Sequence, residues 1–187
     1  MKNEHFLQNN FMKILDVKKA SYELNNQMKK WLERVAQDFQ KKHSEILAKP
    51  EQAKSYESED ASEISFYILI PFNSKKITSH IELKITYDDI YYFEDHFGYY
   101  PVIKLGISKK NENAVNEFSD FFESTLSKEL SEKMNGLFFE KRSNELLLSL
   151  EDDKDDKFKI AKDLSELEND LIALAEESIR LIDLYKN

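Results

Sequence analysis

Cysteine is absent from this chain of 187 residues. That excludes a disulfide framework, a thiol nucleophile and any Cys-ligated zinc or iron–sulfur cluster. Glycine is nearly absent: Gly98, Gly106 and Gly136 are the only three, where ordinary usage would give roughly 13. No phosphate-cradling loop of the G-x-G-x-x-G or G-x-x-x-x-G-K kind can be written with them. The longest apolar run, Ile68 to Phe72, is far short of the ~20 residues of a membrane span. No apolar segment of the signal-peptide kind follows the N-terminus, so the chain is expected to be soluble and cytoplasmic. Arginine is scarce as well. The three arginines, Arg34, Arg142 and Arg180, are scattered among 27 basic residues. With Gly, Pro and Trp rare and Asn, Ile, Phe and Tyr frequent, the composition suggests an AT-rich bacterial or phage genome.

Charge of one sign is abundant. The 36 acidic residues give a net charge of −9, and it is unevenly spread. Residues 1–50 carry ten basic and six acidic side chains; residues 51–187 carry 17 and 30, a balance of −13. A body this acidic repels DNA at long range and suits a partner with a basic surface. Direct nucleic-acid binding is accordingly not expected, since readers of DNA rely on arginine forks set in a basic domain.

Periodicity divides the chain. Residues 10–49 contain neither Gly nor Pro, and Ile14, Val17, Leu24, Met28, Leu32, Val35, Phe39 and Ile46 fall on one helical face. This predicts a long N-terminal helix within residues 1–50. Residues 51–62 lack periodicity and read as an exposed linker. Alternation follows over 63–110: Ile64 to Phe72, Ile81 to Tyr87, Ile90 to Glu94 and Val102 to Ser108 predict four strands of an antiparallel meander. A second helix is predicted over 111–135, a hairpin over 136–151 turning at Ser143-Asn144, and a C-terminal helix over 155–187 behind an acidic stretch. The sum is a single α+β domain of order α-β4-α-β2-α. In it, long amphipathic terminal helices cover one face of a mainly antiparallel sheet. The first helix is longer than such a sheet can cover, so a homodimer through helical pairing is expected.

Candidate chemistry is sparse. Glu82-Leu83-Lys84 places a carboxylate and an ammonium on one face of a strand. The tripeptide and the hairpin before it resemble the PD-(D/E)xK nucleases. The resemblance implies that Glu82 and Lys84, with an earlier acid, would hold Mg²⁺ and activate water. The preceding strand supplies no acid; Asp60 and Glu63 sit in or beside the linker. Any half-exposed strand would show the same alternation of polar and apolar residues. His5, His43, His80 and His96 form no metal-binding pair by spacing, and no positioned serine is evident. No cofactor is expected.

Two surface features remain. Residues 87–100 hold Tyr87, Tyr91, Tyr92, Phe93, Phe97, Tyr99 and Tyr100, bordered by Glu94 and Asp95. Tyr91, Tyr92, Glu94, Asp95, Tyr99 and Tyr100 are the candidate partner-binding group, because tyrosine offers large contact area and a hydroxyl that tolerates an interface rim. One of Tyr91 and Tyr92, and one of Tyr99 and Tyr100, is expected at the surface. On the first helix Lys19, Lys30, Arg34 and Lys41 form a basic stripe that could track phosphates, although Glu23 in its middle marks an ordinary solvated face. These features point to a non-enzymatic inhibitor or immunity-type protein that binds a basic, nucleic-acid-handling partner. A metal-dependent nuclease and a phage or cellular assembly protein are the alternatives.

Overall fold

The computed structural model describes residues 2–59, 63–73, 79–88, 99–107, 120, 137–142, 145–152, 157–159 and 161–186. In chain order the elements are α1 (Lys2–Lys42), β1 (Lys54–Glu57), β2 (Glu63–Pro71), β3 (Ser79–Asp88), β4 (Tyr99–Ile107), β5 (Leu137–Arg142), β6 (Glu145–Asp152), β7 (Lys157–Phe158) and α2 (Leu164–Lys186). The chain is α+β, with the helices packing on an antiparallel sheet. The strands lie in the order β1-β2-β3-β4-β6-β5, and β7 pairs with the end of β6.

Register follows from the alternation of the strands. Ile68 faces Leu83 and Leu83 faces Ile103; Leu105 faces Leu146. Since a one-residue slip would turn every one of these side chains out of the core, the apolar pattern fixes the pairing. Phe66, Ile68, Ile70, Ile81, Leu83, Ile85, Ile103, Leu146 and Leu148 are all at most 1% exposed on this face. Against it α1 lays Met28, Leu32, Val35, Ala36 and Phe39, and α2 lays Leu167, Leu171, Leu174, Ala175 and Ile179. α1 sits over β1 and β2, and α2 over β3, β4 and β6.

The structure corrects the sequence in three places. The first helix ends at Lys42, not near residue 49. Sequence offers no stop signal before Pro50, and the helix is ended by tertiary bonds. Leu47 forms a bridge with Phe72, the Gln40 and Asn73 side-chain amides donate to the Leu47 carbonyl, and the Asn73 N–H donates to Ile46. The expected linker over 51–62 contains β1, which pairs with β2 from Lys54↔Tyr67 to Glu57↔Ile64. All four of its side chains are exposed, so an alternation signal had nothing to report. The C-terminal helix starts at Leu164 instead of 155. Lys157–Phe158 is strand, the Ala161 N–H donates to the Tyr99 carbonyl, and Asp163 caps the helix by accepting the Glu166 N–H at 2.9 Å. Glu166 in turn accepts the Lys162 N–H at 2.7 Å, a near-reciprocal capping box. The strand expected over Ile90–Glu94 lies outside the described residues, as does the helix expected over 111–135 except for Asp120, which is helical. β3 pairs directly with β4.

Candidate functional site

The face of the sheet away from the helices gathers the polar residues of the central strands. Register sets Glu63, Ser65 and Tyr67 of β2 beside Asp88, Thr86 and Lys84 of β3; Glu82 lies opposite Lys104 of β4, and His80 opposite Gly106. The Lys84 ammonium donates to Glu63 Oε1 at 3.3 Å, reaching over Ser65, whose hydroxyl donates to the same oxygen at 2.8 Å. Lys104 Nζ stands 3.4 Å from Glu82 Oε1. The Ser65 hydroxyl, acting against partial burial and helped by Lys84 and Lys104, holds the Glu63 carboxyl below its ordinary range.

Glu82 and Lys84 therefore share a face, as their spacing requires, and Glu63 is the acid that meets Lys84. Glu63 and Glu82 start from distant points on the sheet, however. Glu63 pairs in register with Asp88 and Glu82 with Leu69, a six-residue backbone offset of ~20 Å at about 3.3 Å per residue. Each is taken by a different lysine. A hard cation needs its oxygens within about 2.0–2.6 Å. Among the described residues no group of three His, Asp or Glu side chains is placed to hold one.

The tyrosine-rich group is divided. Tyr91, Tyr92, Glu94 and Asp95 lie outside the described residues. Tyr100 is 8% exposed. Tyr99 is half-buried, its ring 5.4 Å from that of Tyr87 and 6.4 Å from that of Phe66. Burial, then the neighbouring Tyr87, pushes the Tyr99 phenol up. Both side chains are drawn into packing, because alternation across a sheet with a core on one side and buried Thr86 and Ser149 on the other leaves neither of them a wet face. Tyr100 is thus buried and Tyr99 half-buried, where one of the two was expected at the surface.

The basic stripe is also divided. Lys19 and Lys30 are exposed and make no ion pair among the described residues. Lys41 Nζ donates to Asp38 at 3.1 Å. Arg34 makes a forked contact with Glu168 of α2, Nη1 to Oε1 at 3.2 Å and Nη2 to Oε2 at 2.6 Å, and the Trp31 indole donates to Glu168 Oε2 at 3.0 Å. One turn of α1 thus grips a single carboxylate, which the Arg34 hydrogen bonds hold below the ordinary range against the opposing effect of burial. Farther along, Lys42 donates to Glu176 and His43 Nε2 lies 2.9 Å from it. Residues 31 and 34 meet 168 while 42 and 43 meet 176, so the two helices run parallel.

Sequence reasoning missed this latch. Its partners are 134 to 137 residues apart, and nothing in a helical period marks which exposed acid of α2 will face which cation of α1. Among the described residues, no helix is long and apolar enough to cross a membrane. No protein family, curated protein or solved structure matches the chain.

Proposed function

We propose that this protein is a non-enzymatic interaction module, an inhibitor or immunity-type protein that acts as a homodimer and binds a basic, nucleic-acid-handling protein. The observation that carries this is the pairing of charge on the outer sheet face. Glu63 is paired with Lys84 and Glu82 with Lys104, and among the described residues no group of three acids or histidines is placed to hold a cation. That arrangement fixes the face and offers no poised base. The excess of acid over residues 51–187 supplies the field that would steer and select a basic partner. Tyr91, Tyr92, Glu94 and Asp95 remain the proposed contact group. Capture on the tagged protein should retain a basic partner at low salt and release it as salt rises. Recovery of the bait alone would overturn this function.

One contact favours a second function, that of a metal-dependent nuclease: Glu63, at the start of β2, supplies an acid to Lys84 on the strand that carries Glu82. Incubation with plasmid and linear DNA plus Mg²⁺ or Mn²⁺ distinguishes the two. Cleavage by the wild type that is lost in Glu82→Ala establishes the nuclease, and equal inactivity of both proteins removes it.

A further inference from the structure

The stretch of α1 from Leu15 to Leu24 carries three of the five large apolar side chains exposed among the described residues: Leu15 is 42% exposed, Tyr22 68% and Leu24 52%. Leu15 and Tyr22 are seven residues apart and share one side of the helix, with Lys18 and Lys19 between them. All four are exposed, and neither lysine makes an ion pair among the described residues. Eighteen residues on from Leu15, five whole turns at 3.6 residues each, is Glu33. Its Oε1 accepts the N–H of Ala53, the residue before β1. The Leu15–Tyr22 face therefore lies in line with the side of α1 that meets the β1 margin of the sheet.

That margin carries the opposite character. β1 is an edge strand, and Tyr56 on it is 55% exposed. Tyr56 pairs with Ser65 and points to the outer face, whereas Glu57 pairs with Ile64 and points to the helix side; Glu57 and Glu59 are exposed and likewise unpaired among the described residues. One margin of the molecule thus presents an apolar-and-basic patch on α1 and an acidic one at Glu57 and Glu59, of complementary sign. A two-fold contact needs a surface that complements itself, each patch meeting the other on the second copy. Pairing of α1 with α1 does not satisfy this, because each arm is basic: Lys13, Lys18, Lys19, Lys29 and Lys30 stand against Asp16 and Glu23 over residues 13–30.

We infer that the homodimer forms by reciprocal exchange, the Leu15–Lys18–Lys19–Tyr22 face of each α1 seating on the acidic margin at Glu57 and Glu59 of the second copy. This rests on the homodimer proposed above and is independent of the basic partner. The contact is between exposed charges, so it weakens as salt shortens the Debye length.

Sedimentation velocity on the full chain tests it, with circular dichroism and thermal melting to verify the fold of each variant. At about 50 mM NaCl, where screening is weak, the wild type should sediment as a dimer that dissociates at least tenfold more readily at about 500 mM. Lys18→Glu/Lys19→Glu and Glu57→Lys/Glu59→Lys should each give folded monomer, and the four substitutions combined should restore the dimer. A monomeric wild type overturns the inference, as does a combined variant no tighter than its parents. So does a dimer that survives reversal at 57 and 59, which would place the arm on another surface. Binding of the monomeric wild type to phosphatidylserine vesicles, lost in Lys18→Glu/Lys19→Glu, would overturn it in favour of a membrane.

Discussion

At Gly106 the absence of a side chain has a direct structural reason. The residue pairs with His80 on one side and Glu145 on the other. A Cβ added there would stand 2.5 Å from His80 Cε1 and 2.7 Å from Nε2. The imidazole lies across the glycine, in space that any other residue would fill. Gly106→Ala should therefore push the ring aside at a cost of about 1–3 kcal/mol, the usual penalty of overpacking. Truncating the ring should return most of that loss, so a cycle of Gly106→Ala, His80→Ala and the double variant, followed by urea denaturation, should give a coupling of at least about 1 kcal/mol. Strict additivity would mean that the ring moves freely. The sequence could display that glycine is rare; it could not display which rare glycine touches a histidine, because the contact is made across strands.

The two helices and the long strands were readable because each has a buried face and an exposed one. The 3–4 spacing of Met28, Leu32, Val35 and Phe39, and the alternation of Ile64, Phe66, Ile68 and Ile70, are direct prints of that asymmetry. β1 has no buried face and left no print. The start of α2 was hidden for another reason: the acidic residues of 151–156 mimic a helix N-terminus, whereas the cap is Asp163 with Glu166 three residues on. Likewise Glu82 and Lys84 were legible as neighbours on a face, while Glu63 could be joined to them only by knowing where β2 begins. A seam continues along α1 beyond the point where the core ends, and this separates pattern from packing. Leu24 and Leu32 belong to the same apolar stripe, yet Leu24 is 52% exposed and Leu32 wholly buried. Leu32→Ala should cost about 2–5 kcal/mol, and Leu24→Ala less than about 0.5 kcal/mol, both read from denaturant midpoints. Comparable losses would show that the arm is packed in the folded monomer.

Across the whole molecule, ion pairs tie the layers together, and the acid side of each tie bears the consequence. Glu168 and Glu176 join α2 to α1, Glu63 joins β2 to β3, and Glu166 fastens the start of α2 to Lys159. All four carboxyls lie below their ordinary range. For Glu168 the Arg34 hydrogen bonds lead; for Glu166 the Lys162 backbone N–H leads; for Glu63 the Ser65 hydroxyl leads. For Glu176 burial acts upward and is outweighed by Lys42 and His43. A carboxyl whose folded pKa is depressed binds fewer protons in the native state than in the unfolded state between the two values. Stability therefore rises with pH across that interval. The contribution is present in full above the unfolded value of about 4.3 and is lost as pH falls through the lower, folded values. Relief of repulsion among the −9 net charge acts in the opposite direction as the molecule is acidified, but these are mostly exposed, screened charges, whereas the ties are specific contacts. The free energy of unfolding should thus stay nearly flat from about pH 8 to 5 and decline below about pH 4.5. Glu168→Gln keeps the shape of the side chain and removes its charge. Because Arg34 is more than half exposed, the substitution should cost only about 1 kcal/mol at pH 7. Its difference from wild type should shrink as pH falls below the unfolded value of about 4.3 and vanish once the native carboxyl is itself protonated. Urea unfolding at a series of pH values gives both curves; a constant offset between them at every pH would mean that the latch acts by shape and not by charge.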